Sequence, residues 1–286
     1  MGVIQIKQRS VVECSPQSFA VGGKIGSCLL IEPKKSSKKW GEIQNNSMED
    51  YEKTHGKENI DPSIYAYYRL FRGYAAASAH KALSRVLDVG CGISIDFPVY
   101  ARNMSRHWDY CGLDPFQINL ERKYPFLCST LEAAAENLDF TDKFDLFLFC
   151  TSLDHFENTK ECAEAVRSLA APEARCVFWV GLHDPDLVAA PEGGAVFRRL
   201  FRSHPAFAPL MYFGYGILRF PKTVYNMWRR RRMLASGKPL DNLHFWYFTR
   251  DNIEGHLRSF GEIEDVLYIP GCNYVFATCK VSAPNA

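Results

Sequence analysis

The stretch Arg85-Val-Leu-Asp-Val-Gly-Cys-Gly-Ile-Ser-Ile-Asp96 restricts the fold more than any other part of the chain. Arg85 to Val89 read as a buried strand with one acid, Asp88, near its carboxyl end. Gly90 and Gly92 let the backbone turn sharply and leave no Cβ to obstruct a ligand. A helix starting near Asp96 would aim its free N–H groups back across that turn. Strand, glycine turn and helix in this order form the first crossing of an open α/β sheet, where polar ligands bind. A dinucleotide fingerprint would need a third glycine at the position of Ile95, so that cofactor class is disfavoured. Asp88 just before the first glycine suits a cofactor with a cationic amino acid end.

Further segments follow at the spacing such a sheet needs. Trp108-Asp-Tyr-Cys-Gly-Leu-Asp114 is a strand ending in an acid, with Pro115 opening a helix from Phe116. One helix-length segment, Phe97 to Ser105, separates it from the glycine turn. An acid at this place accepts hydrogen bonds from both ribose hydroxyls of a bound nucleotide. Phe144 to Cys150 reads as the next buried strand, Thr159 to Leu169 as a helix, and Arg175 to Gly181 as another strand. Phe260 to Ile269 and Asn273 to Lys280 read as a closing pair joined at Pro270-Gly271, after a helix from Thr249 to Ser259 capped by Thr249 or Asp251.

The ordered series Asp88-Val-Gly-Cys-Gly92, Asp114-Pro115, Glu136-Asn137-Leu-Asp-Phe140, Phe144 to Cys150 and Thr151-Ser-Leu-Asp-His-Phe156 resembles the motifs of class I S-adenosylmethionine-dependent methyltransferases of type 11/12. The resemblance implies an α/β, Rossmann-like, doubly wound seven-stranded sheet, mostly parallel with an antiparallel closing strand. It implies S-adenosylmethionine as cofactor, held by Asp88, Gly90, Cys91, Gly92, Asp114, Pro115, Glu136, Asn137 and Cys150. The chain departs from the family at Ser94 and Ala134, where a glycine and an acid are usual, and at Pro172-Glu-Ala-Arg, where Pro-Gly-Gly is usual. These departures keep a second reading open, a methyltransferase-like cofactor-binding protein without turnover.

On the acceptor side the candidates are Asp154, His155, His183, Asp184 and His244. Methyl transfer from a sulfonium needs in-line positioning and, for a hydroxyl or amine acceptor, removal of a proton. His155 directly after a strand, with a near-neutral intrinsic pKa, is a candidate base; packing against the next helix is the competing reading. The segment Asp241 to Thr249 resembles one that closes over the acceptor pocket in small-molecule methyltransferases, which makes His244 a rival base. No Asn-Pro-Pro-Tyr motif or paired glutamates occur, leaving O-, N- or C-methylation of a small-molecule acceptor, hydrophobic or glycan-linked. Two lone cysteines, Cys14 and Cys28, cannot supply a zinc site, and no metal is expected.

At 286 residues and 47% hydrophobic, the chain can bury a full core. Residues 1–60 read as an N-terminal extension, with short strands at 3–12 and 27–31 and polar segments at 34–39 and 45–59. Residues 61–286 read as one catalytic domain, entered by a helix from Asp61 and carrying a lid-like helical insertion at about 184–242. The ten cysteines are scattered, and no basic start leads into an apolar block. A reducing, cytoplasmic setting is expected. Ser203 to Leu218 lacks charge but is shorter than the ~20 residues of a spanning helix. With Arg229-Arg-Arg-Arg232 it reads as a core-packed lid and basic helix, or as a peripheral membrane contact over 203–232. Nucleic acid is the weakest reading, since one basic run without a wider basic surface is weak evidence and the formal charge of +2 argues neither way.

Overall fold

The computed structural model describes residues 28–30, 62–92, 94–104, 106–115, 122–137, 143–184, 244–269 and 273–282, with scattered positions between 221 and 236. The expectations for 3–12, 34–39, 45–59, 203–218, the helix from Phe116, Leu138 to Phe140 and the turn at Pro270-Gly271 lie outside these residues.

Eight strands form one sheet: β1 (Cys28–Leu30), β2 (Ser84–Val89), β3 (Trp108–Asp114), β4 (Phe126–Cys128), β5 (Phe144–Cys150), β6 (Ala170–Gly181), β7 (Gly261–Tyr268) and β8 (Tyr274–Val281). Their spatial order is β1-β4-β3-β2-β5-β6-β8-β7. All pairs are parallel except those of β8, which runs against both β6 and β7. The seven strands from β4 to β7 are the expected Rossmann-like sheet. The eighth, β1, comes from the N-terminal extension and pairs in parallel with β4 at the edge. β4 itself has three residues, too few for a period to be visible beforehand.

The strands sort their side chains by the two-residue pleat. Leu87 and Val89 of β2 join a core with Phe147, Phe149, Phe178 and the helices α2 (Leu131–Asn137), α3 (Thr159–Leu169) and α4 (Ile253–Leu257). Val86, Tyr110, Leu146, Leu148, Cys150, Val177 and Trp179 face a second core, covered by Phe71 and Ala75 of helix α1 (Pro62–Ser78). β5 is buried along its whole length, as expected of a continuous apolar run in the middle of a parallel sheet. Asp88, two positions beyond Val86, belongs to the α1 face.

α3 spans the expected residues. Asn158 caps it by accepting from the amides of Lys160 and Glu161, while its own side-chain amide reaches Glu161 Oε1 at 2.9 Å. Its buried residues Thr159, Cys162, Ala163, Val166 and Leu169 recur at helical spacing. α1 starts at Pro62, which needs no helical donor there. α4 is shorter than expected, and Asn252 stands at its N-cap instead of Thr249 or Asp251. The Asn252 side chain turns back to accept from the Thr249 amide at 2.8 Å.

One expectation is corrected. No helix follows the glycine turn: the described residues from 94 to 107 make turns. Ala101 and Arg102 donate to Pro98 O, which makes one turn that does not propagate. Asn103 adopts a left-handed φ of 67° and ends it. Phe97 and Tyr100 are meanwhile drawn into the α1-side core. The helix-dipole contribution expected at the glycine turn is therefore not available from this segment.

Candidate functional site

The carboxyl ends of β3, β2 and β5 lie side by side, with Asp88 registered against Gly112 on one side and Leu148 on the other. Gly90 and Gly92 both take positive φ, 77° and 73°. The amides of Gly90 and Cys91 donate to Leu113 O at 2.8 and 3.3 Å, lashing the turn to the end of β3. The Gly92 amide donates to Asp114 Oδ2 at 2.9 Å. A Cβ on Gly90 would lie 2.5 Å from Ser152 Cβ, so the turn fits only a glycine against the segment after β5. Ser152 Oγ in turn donates to Val89 O at 2.6 Å.

Asp88 is fully buried. Its Oδ2 accepts from Tyr100 Oη at 2.7 Å and from Tyr110 Oη, while Oδ1 has no hydrogen-bond partner among the described residues. Burial pushes the Asp88 carboxyl up to about 7; the two tyrosine bonds pull the other way and neighbouring Asp114 adds to the rise. The sequence reading missed both tyrosines. Tyr110 shares a pleat face with Asp114, so it was within reach of an alternation argument; Tyr100 sits in the segment misread as helix.

A second brace was also missed. Arg122 Nη1 donates to Gly92 O at 2.8 Å and to Tyr124 Oη at 2.6 Å, and Tyr124 Oη donates to Ser94 O at 2.8 Å. The guanidinium lies 3.5 Å over the Phe126 ring. Arg122 and Tyr124 thus hold Gly92 and Ser94 through their carbonyls, where a following helix would have anchored them.

The remaining cofactor-side candidates divide. Cys91 is buried beside Gly112, where a Cβ would come within 2.8 Å of Cys91 Sγ and of Tyr124. Pro115 follows Asp114 directly, and Ser129 donates its amide to Asp114 O at 3.2 Å. Cys150 is buried at the end of β5, and burial pushes its thiol well up, so it is a packing thiol. Glu136 and Asn137 are exposed on the last turn of α2, not in a loop, and Asn137 Nδ2 donates to Ala133 O at 2.8 Å. Seven described cysteines are free thiols.

On the acceptor side the structure joins what the sequence kept apart. After β5, Thr151 takes a left-handed φ of 54° and donates its amide to Trp179 O at 2.8 Å. This bend leads into a short 3-10 turn, Leu153–His155. Asp154 O accepts from the amides of Phe245 and Trp246, and the His183 amide donates to Phe248 O at 2.7 Å. The segment carrying His244 is thereby stitched to the ends of β5 and β6. His155 Nε2 lies 3.8 Å from Asp154 Oδ1, and His244 Nε2 lies 3.6 Å from Asp154 Oδ2. The His155 and His244 rings are 5.0 Å apart, and His183 stands 5.8 Å from His244. Asp184 points to a different neighbour, and its carboxylate accepts the Arg250 amide at 3.1 Å.

A family model described as a methyltransferase domain matches residues 63–261, well over half of the chain. The chain belongs to the class I S-adenosylmethionine-dependent methyltransferases. Among solved structures, it is similar to the 1,6-didemethyltoxoflavin-N1-methyltransferase of Burkholderia thailandensis, crystallised with 1,6-didemethyltoxoflavin and S-adenosylhomocysteine. That match has 13% identity over 88% of this chain and 92% of the other, with a TM-score of 0.52. The N-methyltransferase NodS of Bradyrhizobium japonicum WM9, in complex with S-adenosyl-L-homocysteine, matches at 9% identity over 86% and 99% of the two chains, TM-score 0.48. No curated protein sequence matches the chain.

The residues of this methyltransferase fit the cofactor its class uses. Two left-handed glycines form the turn at the end of β2, Asp114 is a buried carboxylate at the end of β3, and Asp88 Oδ1 is a buried acceptor with no hydrogen-bond partner among the described residues. A cationic, ribose-bearing ligand is the chemistry these groups answer. Among the described residues no helix is long and apolar enough to cross a membrane.

Proposed function

We propose that this chain transfers a methyl group from S-adenosylmethionine to a small-molecule acceptor, hydrophobic or glycan-linked, presented at the ends of β5 and β6. The cofactor, when bound, supplies the methyl group on a sulfonium that leaves as a neutral thioether. The chain's own part is to bind, orient and deprotonate. Asp114 takes the ribose hydroxyls and the Gly90–Gly92 turn lets the ligand approach the backbone. Asp88 faces the cationic end, with Pro115, Cys91 and Cys150 as walls and Glu136 and Asn137 toward the adenine. His155 or His244 accepts the acceptor's proton, with the buried Asp154 carboxylate between them favouring the charged imidazole.

The observation that carries this reading is the convergence of both histidines on one buried carboxylate, on the segment whose Ser152 packs against Gly90. It supports the reading of a proton-accepting group close to the cofactor turn. A similar fold crystallised with 1,6-didemethyltoxoflavin supports the small-molecule class. Residues 61–286 are read as the catalytic unit, with 184–242 as its lid. Peripheral membrane contact through 203–232 draws on exposed Val224, Tyr225 and Trp228 with Arg232 at 5.4 Å from the Trp228 ring. A cytoplasmic setting is read from the free thiols.

Calorimetric titration with S-adenosylmethionine, S-adenosylhomocysteine and NAD tests the cofactor half. The two adenosyl ligands bind and NAD does not. Asp114→Ala weakens binding about 10- to 100-fold, the loss of charge-assisted hydrogen bonds of about 1.5–3 kcal/mol. Unchanged affinity in that variant removes the ribose role. A second reading, cofactor binding without turnover, draws on the turns that the described residues from 94 to 107 make in place of a helix. It prevails if the folded protein binds both adenosyl ligands yet methylates no acceptor in a broad screen of phenols, amines and glycolipids.

A further inference from the structure

We infer that Asp154, His155 and His244 form a binding site for one divalent transition-metal ion of the zinc or cobalt type. One ligand atom from each residue lies within 4.8 Å of the others. The separations of 3.8 Å from His155 Nε2 to Asp154 Oδ1 and 3.6 Å from His244 Nε2 to Asp154 Oδ2 are close to tetrahedral ligand spacing. Bonds of about 2.0–2.2 Å to nitrogen and oxygen put neighbouring ligands about 3.4 Å apart. Both His–Asp separations exceed that spacing by only a few tenths of an ångström, and the two imidazole nitrogens lie within 4.8 Å of each other.

A second observation points the same way. The Asp154 side chain is only 7% exposed, and its Oδ1 has no hydrogen-bond partner among the described residues. A carboxylate withdrawn from water needs a compensating charge or donors. The imidazole nitrogens that face it stand beyond hydrogen-bond distance, a gap that fits an ion. The backbone is already arranged for it: the Leu153–His155 turn sets the first two ligands, and the amides of Phe245 and Trp246 on Asp154 O bring in the third.

Two imidazoles and one carboxylate suit a borderline metal and leave a coordination position open. An acceptor hydroxyl there would lose its proton more readily, to solvent, and the two imidazoles would then serve as ligands in place of acting as the base. That consequence rests on the methyltransferase reading, whereas metal binding does not. No spaced cysteine or histidine pair advertises the site, because its ligands come from positions 154, 155 and 244. The sequence expectation of no metal rested on the N-terminal cysteines.

The test uses the full chain, stripped with a chelator and titrated with Co²⁺ while visible absorption is followed. The expected result is one tightly held Co²⁺ per chain with a d–d spectrum, displaced by Zn²⁺. His155→Ala and His244→Ala each weaken binding at least about tenfold, as do the gentler His155→Gln and His244→Gln should the alanine variants fold poorly. His80→Ala, at an exposed position, leaves the titration unchanged. Absence of Co²⁺ binding, or binding unaltered in folded variants of both histidines, overturns the site. S-adenosylmethionine titration of the same samples separates the two readings. Protein that binds the cofactor but no Co²⁺ retains the methyltransferase reading alone. Protein that binds Co²⁺ through both histidines but no cofactor retains only the metal site.

Discussion

The cofactor end and the acceptor end of this molecule are built on adjacent strands and by opposite means. At the glycine turn almost every group is fixed from several directions. Gly90 packs on Ser152, Gly92 is bonded to Asp114 and held by Arg122, and Asp88 is buried under two tyrosines. At the acceptor end His155 and His244 are each 23% exposed and approach Asp154 only to 3.6–3.8 Å. The first region is rigid and intolerant of added volume. The second holds partly exposed imidazoles around one carboxylate, which is how a site that must admit different molecules is arranged. A shared cofactor is thus bound by packing, and an individual acceptor by placement.

Gly90→Ala puts this contrast under the greatest stress. Its Cβ meets a backbone-anchored Ser152 Cβ at 2.5 Å, in a left-handed conformation alanine disfavours. A destabilisation of about 3 kcal/mol and loss of S-adenosylmethionine binding are expected, read by denaturant unfolding and calorimetry. A result near zero would mean the turn is not rigid.

Asp88 probes the same contrast through pH. Its carboxyl rises from 3.8 to about 7 on folding, chiefly through burial. The folded state therefore binds this proton more tightly than the unfolded one. The resulting stability is full below about pH 4 and is lost as the pH climbs through about 7. Asp88→Asn removes this dependence, so the difference in melting temperature between variant and wild type should widen in the variant's favour from pH 4 to 7. A constant difference across that window would place the carboxyl's titration elsewhere.

Smaller is Tyr110→Phe, which deletes one of the two bonds to Asp88 Oδ2 at a cost of about 1 kcal/mol. It should also move the Asp88 transition to higher pH. Smallest is His155→Ala, for which a stability change under about 1 kcal/mol accompanies a large fall in turnover with any accepted substrate. A stability loss as large as that of Gly90→Ala would show that the acceptor end, too, is part of the packed core.

Much of the fold could be read in advance because its strands announce themselves. Phe144 to Cys150 is a run that only a buried strand accommodates, and α3 is bounded by a capping Asn158 and a regular apolar stripe. The failures have two causes, a tertiary contact that overrides local preference and elements too short to show a period. Residues 97–105 have the composition of a helix, yet Tyr100 is better satisfied bonding Asp88, and Asn103 takes a left-handed conformation. Glu136 and Asn137 read as a loop because seven residues are too few to show helical period. Three-residue β4 was invisible for the same reason.

By itself, the sequence determined the order of strands, the glycine turn and the acids at the ends of β2 and β3. Each of these is a local matter of periodicity, missing side chains or strand ends. Tertiary structure alone decided that Asp88 would be buried beneath Tyr100 and Tyr110, that Arg122 would brace the turn, and that His155 and His244 would meet at Asp154. Those arrangements join residues up to 90 positions apart. They are fixed by parallel register and by the amides of Phe245 and Trp246 on Asp154 O. No local preference encodes a contact made only when distant strands come into register.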